Sequence, residues 1–263
     1  MFLSLAEFAD DPLAAIKADF DRVFRSLLTG PDTTHTDSFL RIRTGLPHPI
    51  ANMAIVRTGS DAELITEMIS PFCSEAFPAG VAFLEPPTNT VDALLASHGF
   101  QLVEQFTAMG VDLTAMTVEP PGEPFSVREV GADQHDQWVD VMSAGYELPR
   151  KFVDRVGPGV VTSVAQAGGE WQYFIACRDD VPVGTATIVL RDGLASVYNI
   201  STLPTHRGEG IGGIVTSEPL RRVRERGYRT AILQASELGR PVYDRLGFRD
   251  YGKFPFYVRV PDA

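Results

Sequence analysis

Four glycines fall within seven residues in the stretch RGEGIGG, which runs from Arg207 to Gly213. The stretch follows a strand-like run, VYNISTL, and precedes a helix-like run, IVTSEPLRRVRERG. Glycine is needed where the backbone adopts a positive φ, or where a side chain would block a close approach. Backbone amides in such a turn, with the positive end of the next helix, form a binding site for phosphate. This strand–loop–helix unit therefore predicts an α/β domain that binds a phosphorylated ligand.

Known kinds of phosphate-binding loop differ in the spacing of their glycines. A nucleotide P-loop needs a Lys-Ser or Lys-Thr pair after its last glycine, and none follows Gly213. The dinucleotide fold needs G-x-G-x-x-G, and the spacing from Gly208 onward differs from that pattern. The third pattern, R-x-x-G-x-G, is satisfied by Arg207, Gly210 and Gly212.

Two segments together resemble the GNAT superfamily of N-acetyltransferases. The loop Arg207–Gly212 resembles that family's pyrophosphate loop for acetyl-CoA, and LQASELGRPVYDRLGF (Leu233–Phe248) resembles its strand and short helix with a Tyr before Leu-Gly-Phe. The resemblance is specific over about Phe125–Val260. It implies acetyl-CoA as cosubstrate, bound in a V-shaped opening between the parallel strands VYNISTL and RTAILQAS, and an amine of a small molecule or peptide as acceptor.

The same resemblance implies roles for individual residues. The pantetheine arm is expected to pair with the backbone around Thr202 and Leu203 as an added strand does, and Ser236 stands where relatives often carry an Asn that contacts coenzyme A. Tyr243 is the implied general acid, because a phenol with a pKa of about 10 can protonate a leaving thiolate. Its alternative role is packing against the sheet. The pyrophosphate is expected to rest on the backbone of Arg207, Gly208, Glu209, Gly210, Ile211, Gly212 and Gly213.

The sequence does not identify the general base that the transfer needs. The strand ASVYNISTL contains no carboxylate, so Tyr198 and Asn199 are candidates to line the cleft, with a water as proton carrier. Glu147, Glu237 and His206 are expected to be solvated surface or turn residues instead of catalytic ones.

An internal repeat divides the chain into two halves. Phe100 and Phe248 each follow a glycine, and Asn52 and Asn199 lie upstream of them in the first and second half. The distance along the chain from Phe100 to Phe248 is nearly the same as that from Asn52 to Asn199. The Pro-rich stretch between the halves is typical of an extended linker. We therefore expect an α/β (α+β) fold of two tandem GNAT-like domains, each a mixed, mostly antiparallel sheet with a splayed central parallel strand pair and flanking helices. The expected bounds are 1–116 for the N-terminal domain, 117–124 for the linker and 125–263 for the acetyltransferase domain.

The N-terminal copy is expected to be degenerate and to bind no coenzyme A. Tyr243 corresponds in the repeat to Leu95, which cannot donate a proton. The corner that corresponds to the glycine loop reads RTGSDAEL, where Asp61 and Glu63 would cap a helix but repel a pyrophosphate. Its expected role is structural, as a partner of the active copy and a wall of the acceptor site.

Composition limits the partners and the compartment. The formal net charge of −11 argues against binding nucleic acid over the whole surface, because phosphate contacts need clustered Lys and Arg. Cys73 and Cys177 lie in apolar surroundings and predict free thiols in a reducing cytoplasm. We expect no metal, no nucleic acid and no membrane partner, and the oligomeric state is not indicated.

Two other functions compete with the N-acetyltransferase. One is a catalytically idle acyl-CoA-binding or regulatory module, which the lack of a visible base leaves open. The other is a methyltransferase that uses the glycine loop for S-adenosylmethionine. It is disfavoured because such loops follow the first strand of a domain, whereas Arg207–Gly213 lies late.

Overall fold

The computed structural model describes residue 8, residues 10–160 and residues 169–261. These residues form two compact units. Unit 1 consists of the described residues up to Leu27 and those within Ala108–Gly252, and unit 2 of Leu28–Thr107 and the described residues from Lys253 onward. No helix in these ranges is long and apolar enough to cross a membrane.

Helices and strands alternate along most of the chain. In chain order the described elements are α1 (Pro12–Leu27), β1 (Thr33–His35), β2 (Phe39–Arg43), β3 (Asn52–Val56), α2 (Ala62–Cys73), β4 (Ala79–Phe83), α3 (Asn89–Ser97), β5 (Phe100–Asp112), β6 (Phe125–Val130), α4 (His135–Tyr146), α5 (Arg150–Val153), β7 (Glu170–Arg178), β8 (Val181–Arg191), β9 (Leu194–Thr202), α6 (Ile211–Glu225), β10 (Thr230–Ala235), α7 (Arg240–Arg245) and β11 (Arg249–Arg259). Short 3₁₀ turns lie at Pro49–Ala51, Ala132–Gln134, Asp154–Val156 and Pro204–His206.

The sheet of unit 1 is mixed and mostly antiparallel. Strands β6 to β9 pair antiparallel in chain order, and β9 then pairs in parallel with β10. The β7–β8 turn is made by Asp179 and Asp180, whose φ angles of 49° and 64° match a two-residue hairpin turn. The glycine loop and α6 connect the two parallel strands, because a parallel connection requires a crossover.

Helices cover both faces of this sheet. Helix α6 buries Val215, Leu220 and Val223 at helical spacing, and these pack in one cluster with Val197 of β9 and Leu233 of β10. Helix α4 lies against β8 and β9, and its buried Trp138 meets the ring of Tyr173 edge to face at 5.2 Å between centroids.

Unit 2 repeats this arrangement on a smaller scale. Strands β1, β2 and β3 pair antiparallel, β3 and β4 pair in parallel around α2, and β4 pairs antiparallel with the end of β11. Each unit therefore has one parallel pair, joined by a helix, within an otherwise antiparallel sheet. The predicted fold class, a mixed and mostly antiparallel sheet with parallel pairs and flanking helices, is confirmed. The prediction that each copy has a splayed parallel pair is wrong for unit 2, whose parallel strands stay paired to their ends.

The expected domain bounds of 1–116, 117–124 and 125–263 stay a prediction, and the two compact units cut across them. Helix α1 belongs to unit 1, whereas the end of β11 belongs to unit 2. Residues 117–124, all of them described, contain no helix or strand and lie inside unit 1. Next to them, Arg224 of α6 donates to the carbonyl oxygens of Leu113 (3.4 Å) and Met116 (2.6 Å). The sequence repeat indicates that the chain has two similar halves. It does not indicate that a helix or strand of one half can belong to the unit formed mainly by the other half.

Glu218 of α6 is a nearly buried carboxylate held by two arginines. Its oxygens accept hydrogen bonds from Arg221 Nε and Arg222 Nε, each at 2.8 Å. The pKa of Glu218 lies below its ordinary value, mainly because Arg221 donates hydrogen bonds to the carboxylate. Burial has a smaller, opposing effect, and Arg222 lowers the pKa further. The side chain is therefore ionised in the folded protein well into the acid range.

We expect Glu218→Gln to lower the free energy of unfolding by about 2 kcal/mol near pH 7, because two partly buried arginines lose their carboxylate. A depressed pKa gives a stabilisation that is present near neutral pH and lost as the pH falls through that pKa. Urea unfolding at several pH values should therefore show a difference that disappears in acid. Glu225→Gln, which removes the exposed partner of Arg221, is the matched control, with an expected change below about 0.5 kcal/mol. A difference that is equal at every pH would contradict this account.

Candidate active site

The parallel strands of unit 1 part before they end. Their pairing runs from Leu194 opposite Thr230 to Val197 opposite Leu233. Strand β9 continues to Thr202, five residues beyond its last partner on β10. A gap therefore opens between the two strands at their carboxyl ends, where ligands bind in open α/β sheets.

A bulge at Asn199 explains why the strands part. The β8–β9 register shifts between Thr185 and Thr187, so β9 carries an extra residue there. Asn199 has a φ of 54°, a conformation that Asn adopts more readily than most residues. Its side-chain amide donates to Thr187 Oγ1 at 3.1 Å, and Thr185 Oγ1 donates to its carbonyl oxygen at 2.9 Å. A bulge bends its strand, and here it turns the end of β9 away from β10.

The glycine loop lies at the mouth of this gap and is shaped by its glycines. Gly208 and Gly210 both have φ of 85°, and a Cβ at either would meet nothing within 4 Å, so conformation alone requires glycine there. The first hydrogen bond of α6 joins the Ile214 amide to the Gly210 carbonyl oxygen at 3.1 Å. The amides from Gly208 to Gly213 find no acceptor among the described residues. These amides and the helix N-terminus are the groups that bind a phosphate.

Two further glycines keep the space beside the loop open. A Cβ on Gly212 would lie 3.9 Å from Thr202 Oγ1 and 4.0 Å from Val242 Cγ1, and one on Gly213 would lie 3.9 Å from the same Val242 atom. The end of β9, the start of α6 and helix α7 therefore meet around these glycines. The Leu203 amide donates to the Val183 carbonyl oxygen at 2.9 Å, which fixes the chain where it enters the loop.

Side chains of the loop are tied to the rest of unit 1. Arg207 Nη2 donates to the carbonyl oxygen of Gly145 at the end of α4, at 2.9 Å. Glu209 Oε2 accepts from Arg178 Nη1 at 2.6 Å, and His206 Nδ1 lies 3.3 Å from Glu209 Oε1. A free carboxylate at this helix N-terminus would repel an anion, and Arg178 offsets its charge. Sequence reasoning missed Arg178, which lies on β7 and belongs to no motif. The Ile211 side chain is buried in the core, so only its backbone faces the loop.

Tyr243 lies in α7, with its ring buried against Phe248 at 5.9 Å between centroids. A Cβ on Gly239 would lie 3.7 Å from the Tyr243 hydroxyl oxygen and 3.4 Å from Ser236 Oγ, so the two hydroxyls border the same glycine. Burial, with a smaller contribution from Tyr146, raises the pKa of Tyr243 above its ordinary value. The phenol is therefore protonated at neutral pH and able to donate. Its ring also fills the packing role that the sequence left as the alternative.

The structure places a carboxylate beside β9 that the sequence did not indicate. Asp19 of α1 is buried, with 5% of its surface exposed, and its Oδ2 accepts a hydrogen bond from the Tyr198 hydroxyl at 2.9 Å. Burial raises the pKa of Asp19 above its ordinary value, against the opposing effects of Ser196, Tyr198 and Arg191. No sequence pattern links α1 to a strand so far along the chain. Glu147 and Glu237 are exposed, as predicted.

The corresponding corner of unit 2 is closed. Its parallel strands stay paired to their ends, where the Leu84 amide donates to the Val56 carbonyl oxygen at 2.8 Å. Asp61 Oδ1 caps α2 by accepting from the amides of Glu63 and Leu64, each at 3.0 Å. A Cβ on Gly59 would lie 2.4 Å from the backbone of Pro87, so this glycine is required for close packing. Leu95 is fully buried.

Comparison with known proteins gives similarities of sequence and of fold. Residues 146–248 match the model of the Acetyltransferase (GNAT) family. A mycothiol acetyltransferase of Thermomonospora curvata is 29% identical over 185 residues, which are 64% of this chain and 60% of that protein. An uncharacterised N-acetyltransferase of Bacillus subtilis, YjcF, is 24% identical over 123 residues, which are 47% of this chain and 86% of the relative.

Two solved structures match nearly the whole chain in fold. A GCN5-related N-acetyltransferase from Kribbella flavida aligns with a TM-score of 0.65 at 16% identity, covering 94% of this chain and 96% of that one. A tandem GNAT protein from the clavulanic acid biosynthesis pathway aligns with a TM-score of 0.57 at 14% identity, covering 100% and 98%. At these identities the likeness concerns the fold.

Proposed function

We propose that unit 1, which contains the residues that match the GNAT acetyltransferase family, transfers an acetyl group from acetyl-CoA to a primary amine of a small molecule or peptide. The observation that carries this proposal is the row of amides from Gly208 to Gly213, which have no acceptor in the described part of the chain and lie at the mouth of the gap between β9 and β10. An anion fits there, since the glycines leave its approach open. The mycothiol acetyltransferase relative favours a small molecule as acceptor.

Coenzyme A would be held by backbone more than by side chains. Its pyrophosphate would accept hydrogen bonds from the loop amides of Gly208–Gly213, at the positive end of α6, whereas the Arg207 amide already donates to the Pro204 carbonyl oxygen at 3.4 Å. Its pantetheine arm would lie along β9 at Thr202 and Leu203, where β10 no longer pairs, as an added strand does. Ser236, whose Oγ accepts from the Gly239 amide at 3.1 Å, borders the reactive end of this path.

The reaction proposed is direct attack of the neutral amine nitrogen on the thioester carbonyl carbon. The developing negative charge needs hydrogen-bond donors, and the leaving thiolate needs a proton. Tyr243 supplies that proton in this proposal, because its buried phenol is protonated at neutral pH. The amine must also lose a proton before it attacks.

Unit 2 serves as a structural, degenerate copy in this proposal. Its parallel strands do not separate, the amides at the start of α2 are occupied by Asp61, and the position of Tyr243 is taken by buried Leu95. None of these features suits coenzyme A. The free thiols Cys73 and Cys177 are compatible with a reducing compartment, and we propose the cytoplasm.

Thiol release from acetyl-CoA tests the function. The full chain is incubated with acetyl-CoA and a panel of polyamines, aminoglycosides and peptides with a free amino terminus, and free thiol is measured. We expect at least one amine class to raise thiol release well above the rate without amine. An idle acyl-CoA-binding module would be protected from heat by coenzyme A but would release no thiol with any amine. That result would overturn the enzymatic proposal and favour the alternative.

A further inference from the structure

This inference rests on the proposed function and concerns its missing proton acceptor. An amine is mostly protonated near pH 7, and its nitrogen attacks only after a proton is removed. Strand β9 has no carboxylate of its own. The acceptor must therefore come from another element that reaches β9 where the strands part.

Helix α1 brings a carboxylate to that position. Tyr198 is the first residue of β9 after Val197, the last one paired with β10. Its hydroxyl donates to Asp19 Oδ2 at 2.9 Å, and its ring lies edge-on to Phe24 of the same helix at 6.3 Å between centroids. Both Asp19 and Tyr198 are more than nine-tenths buried. The hydrogen bond therefore links the buried carboxylate to the point where the gap begins.

Arg191 of β8 is a buried cation that interacts electrostatically with Asp19. The residue is 9% exposed, and among the described residues none of its three guanidinium nitrogens has a hydrogen-bond partner. Burying an unpaired charge is costly unless an opposite charge lies near. Asp19 provides that charge, since the two groups interact electrostatically. The other groups around Asp19 are Ser196 and Tyr198 of β9 and Arg22 of α1, which pairs with Asp192 at 3.0 Å.

We propose that Asp19 accepts the proton of the incoming ammonium through the hydroxyl of Tyr198. An N–H bond of the ammonium breaks as an O–H bond forms at the Tyr198 oxygen. The original Tyr198 O–H bond breaks as its proton binds Asp19 Oδ2. Tyr198 is unchanged, the amine is neutral, and Asp19 is a carboxylic acid that returns its proton to solvent before the next turnover. The positive charge of Arg191 favours the ionised form of Asp19, which is regenerated when the proton leaves.

The variant Asp19→Asn tests this assignment through the pH dependence of kcat/KM for the most active amine of the panel. We expect a loss of about 10²-fold near pH 7, a usual size for a lost proton transfer. The loss should shrink as the pH approaches the pKa of the amine itself, because the free amine then needs no acceptor. A residue that only supported the fold would give the same loss at every pH.

Two further variants keep the test decisive. Tyr198→Phe retains the ring that packs on Phe24 and removes only the hydroxyl, and it should show the same pH-dependent loss even if Asp19→Asn does not fold. Asp21→Asn is the matched control on the same helix, because buried Asp21 pairs with Arg25 at 3.0 Å and should retain the wild-type pH profile.

The outcomes separate this inference from the proposed function. Suppose that the wild-type protein acetylates an amine, and that Tyr198→Phe either keeps the wild-type rate or loses the same factor at every pH. Either result would overturn the role of Asp19 and leave the proposed function standing. Wild-type protein that binds acetyl-CoA but acetylates no amine would overturn the proposed function, and this inference with it.

Discussion

Replacing Tyr243 with Phe should lower kcat by about 10² to 10⁴-fold, the range of a lost general acid, while the KM for acetyl-CoA changes little. The substitution keeps the ring that packs on Phe248 and removes only the hydroxyl beside Gly239 and Ser236. Because burial raises the pKa of this phenol, the wild-type enzyme should lose no activity through ionisation of Tyr243 up to about pH 10. Steady-state rates of thiol release measure both effects.

Tyr173→Phe is the matched control for this result. Tyr173 is also buried in unit 1, and its hydroxyl donates to the Val156 carbonyl oxygen at 3.1 Å, away from the glycine loop. Its loss should cost about 1 kcal/mol of stability and leave kcat within about twofold. An unchanged kcat in Tyr243→Phe would remove Tyr243 from the mechanism and leave it only the packing role.

Gly212→Asp should raise the KM for acetyl-CoA by about 10²-fold or more. The new carboxylate would stand at the start of α6, where the pyrophosphate is expected, and like charges brought together cost several kcal/mol. A tenfold change corresponds to about 1.4 kcal/mol. Sterically the position accepts a side chain, since the nearest atoms to a Cβ there are 3.9 Å and 4.0 Å away. Titration of acetyl-CoA by calorimetry measures the affinity directly.

Two variants separate charge from bulk in this experiment. Gly212→Ala adds a methyl group without charge and should weaken binding far less than Gly212→Asp. Gly122→Asp adds the same charge at a glycine of the Pro-rich segment, where a Cβ meets nothing within 4 Å, and should leave acetyl-CoA binding unchanged. Equal affinity in Gly212→Asp and the wild-type protein would exclude the loop as the pyrophosphate site.

The sequence predicted those structural features that are determined by residues adjacent in the chain. Positive φ at Gly208 and Gly210 and the hairpin at Asp179 and Asp180 are set by local backbone preferences, so short patterns identify them. The parallel strand pair follows from the strand–loop–helix–strand order. The fold class could be predicted for this reason, whereas the role of Tyr243 stays a prediction.

The features that the sequence did not reveal join residues far apart in the chain. The ion pair of Arg178 with Glu209 and the hydrogen bond of Tyr198 with Asp19 each connect different elements without a motif at either end. Such contacts depend on which helix packs on which sheet. The bulge at Asn199 could be predicted only in part. Asn readily adopts the positive φ seen there, but the register shift arises from pairing with β8.

The division of each unit between two chain segments also constrains how the protein is made. During synthesis, β4 is complete long before the end of β11, with which it pairs from Ala79 to Ala82. Until then, one edge of β4 has unpaired backbone groups that can pair with other chains. Helix α1 likewise has no partner for Asp19 until β9 has emerged. A cut within residues 117–124 would therefore yield two pieces that each lack part of a unit, and we expect the nascent chain to depend on folding as a whole.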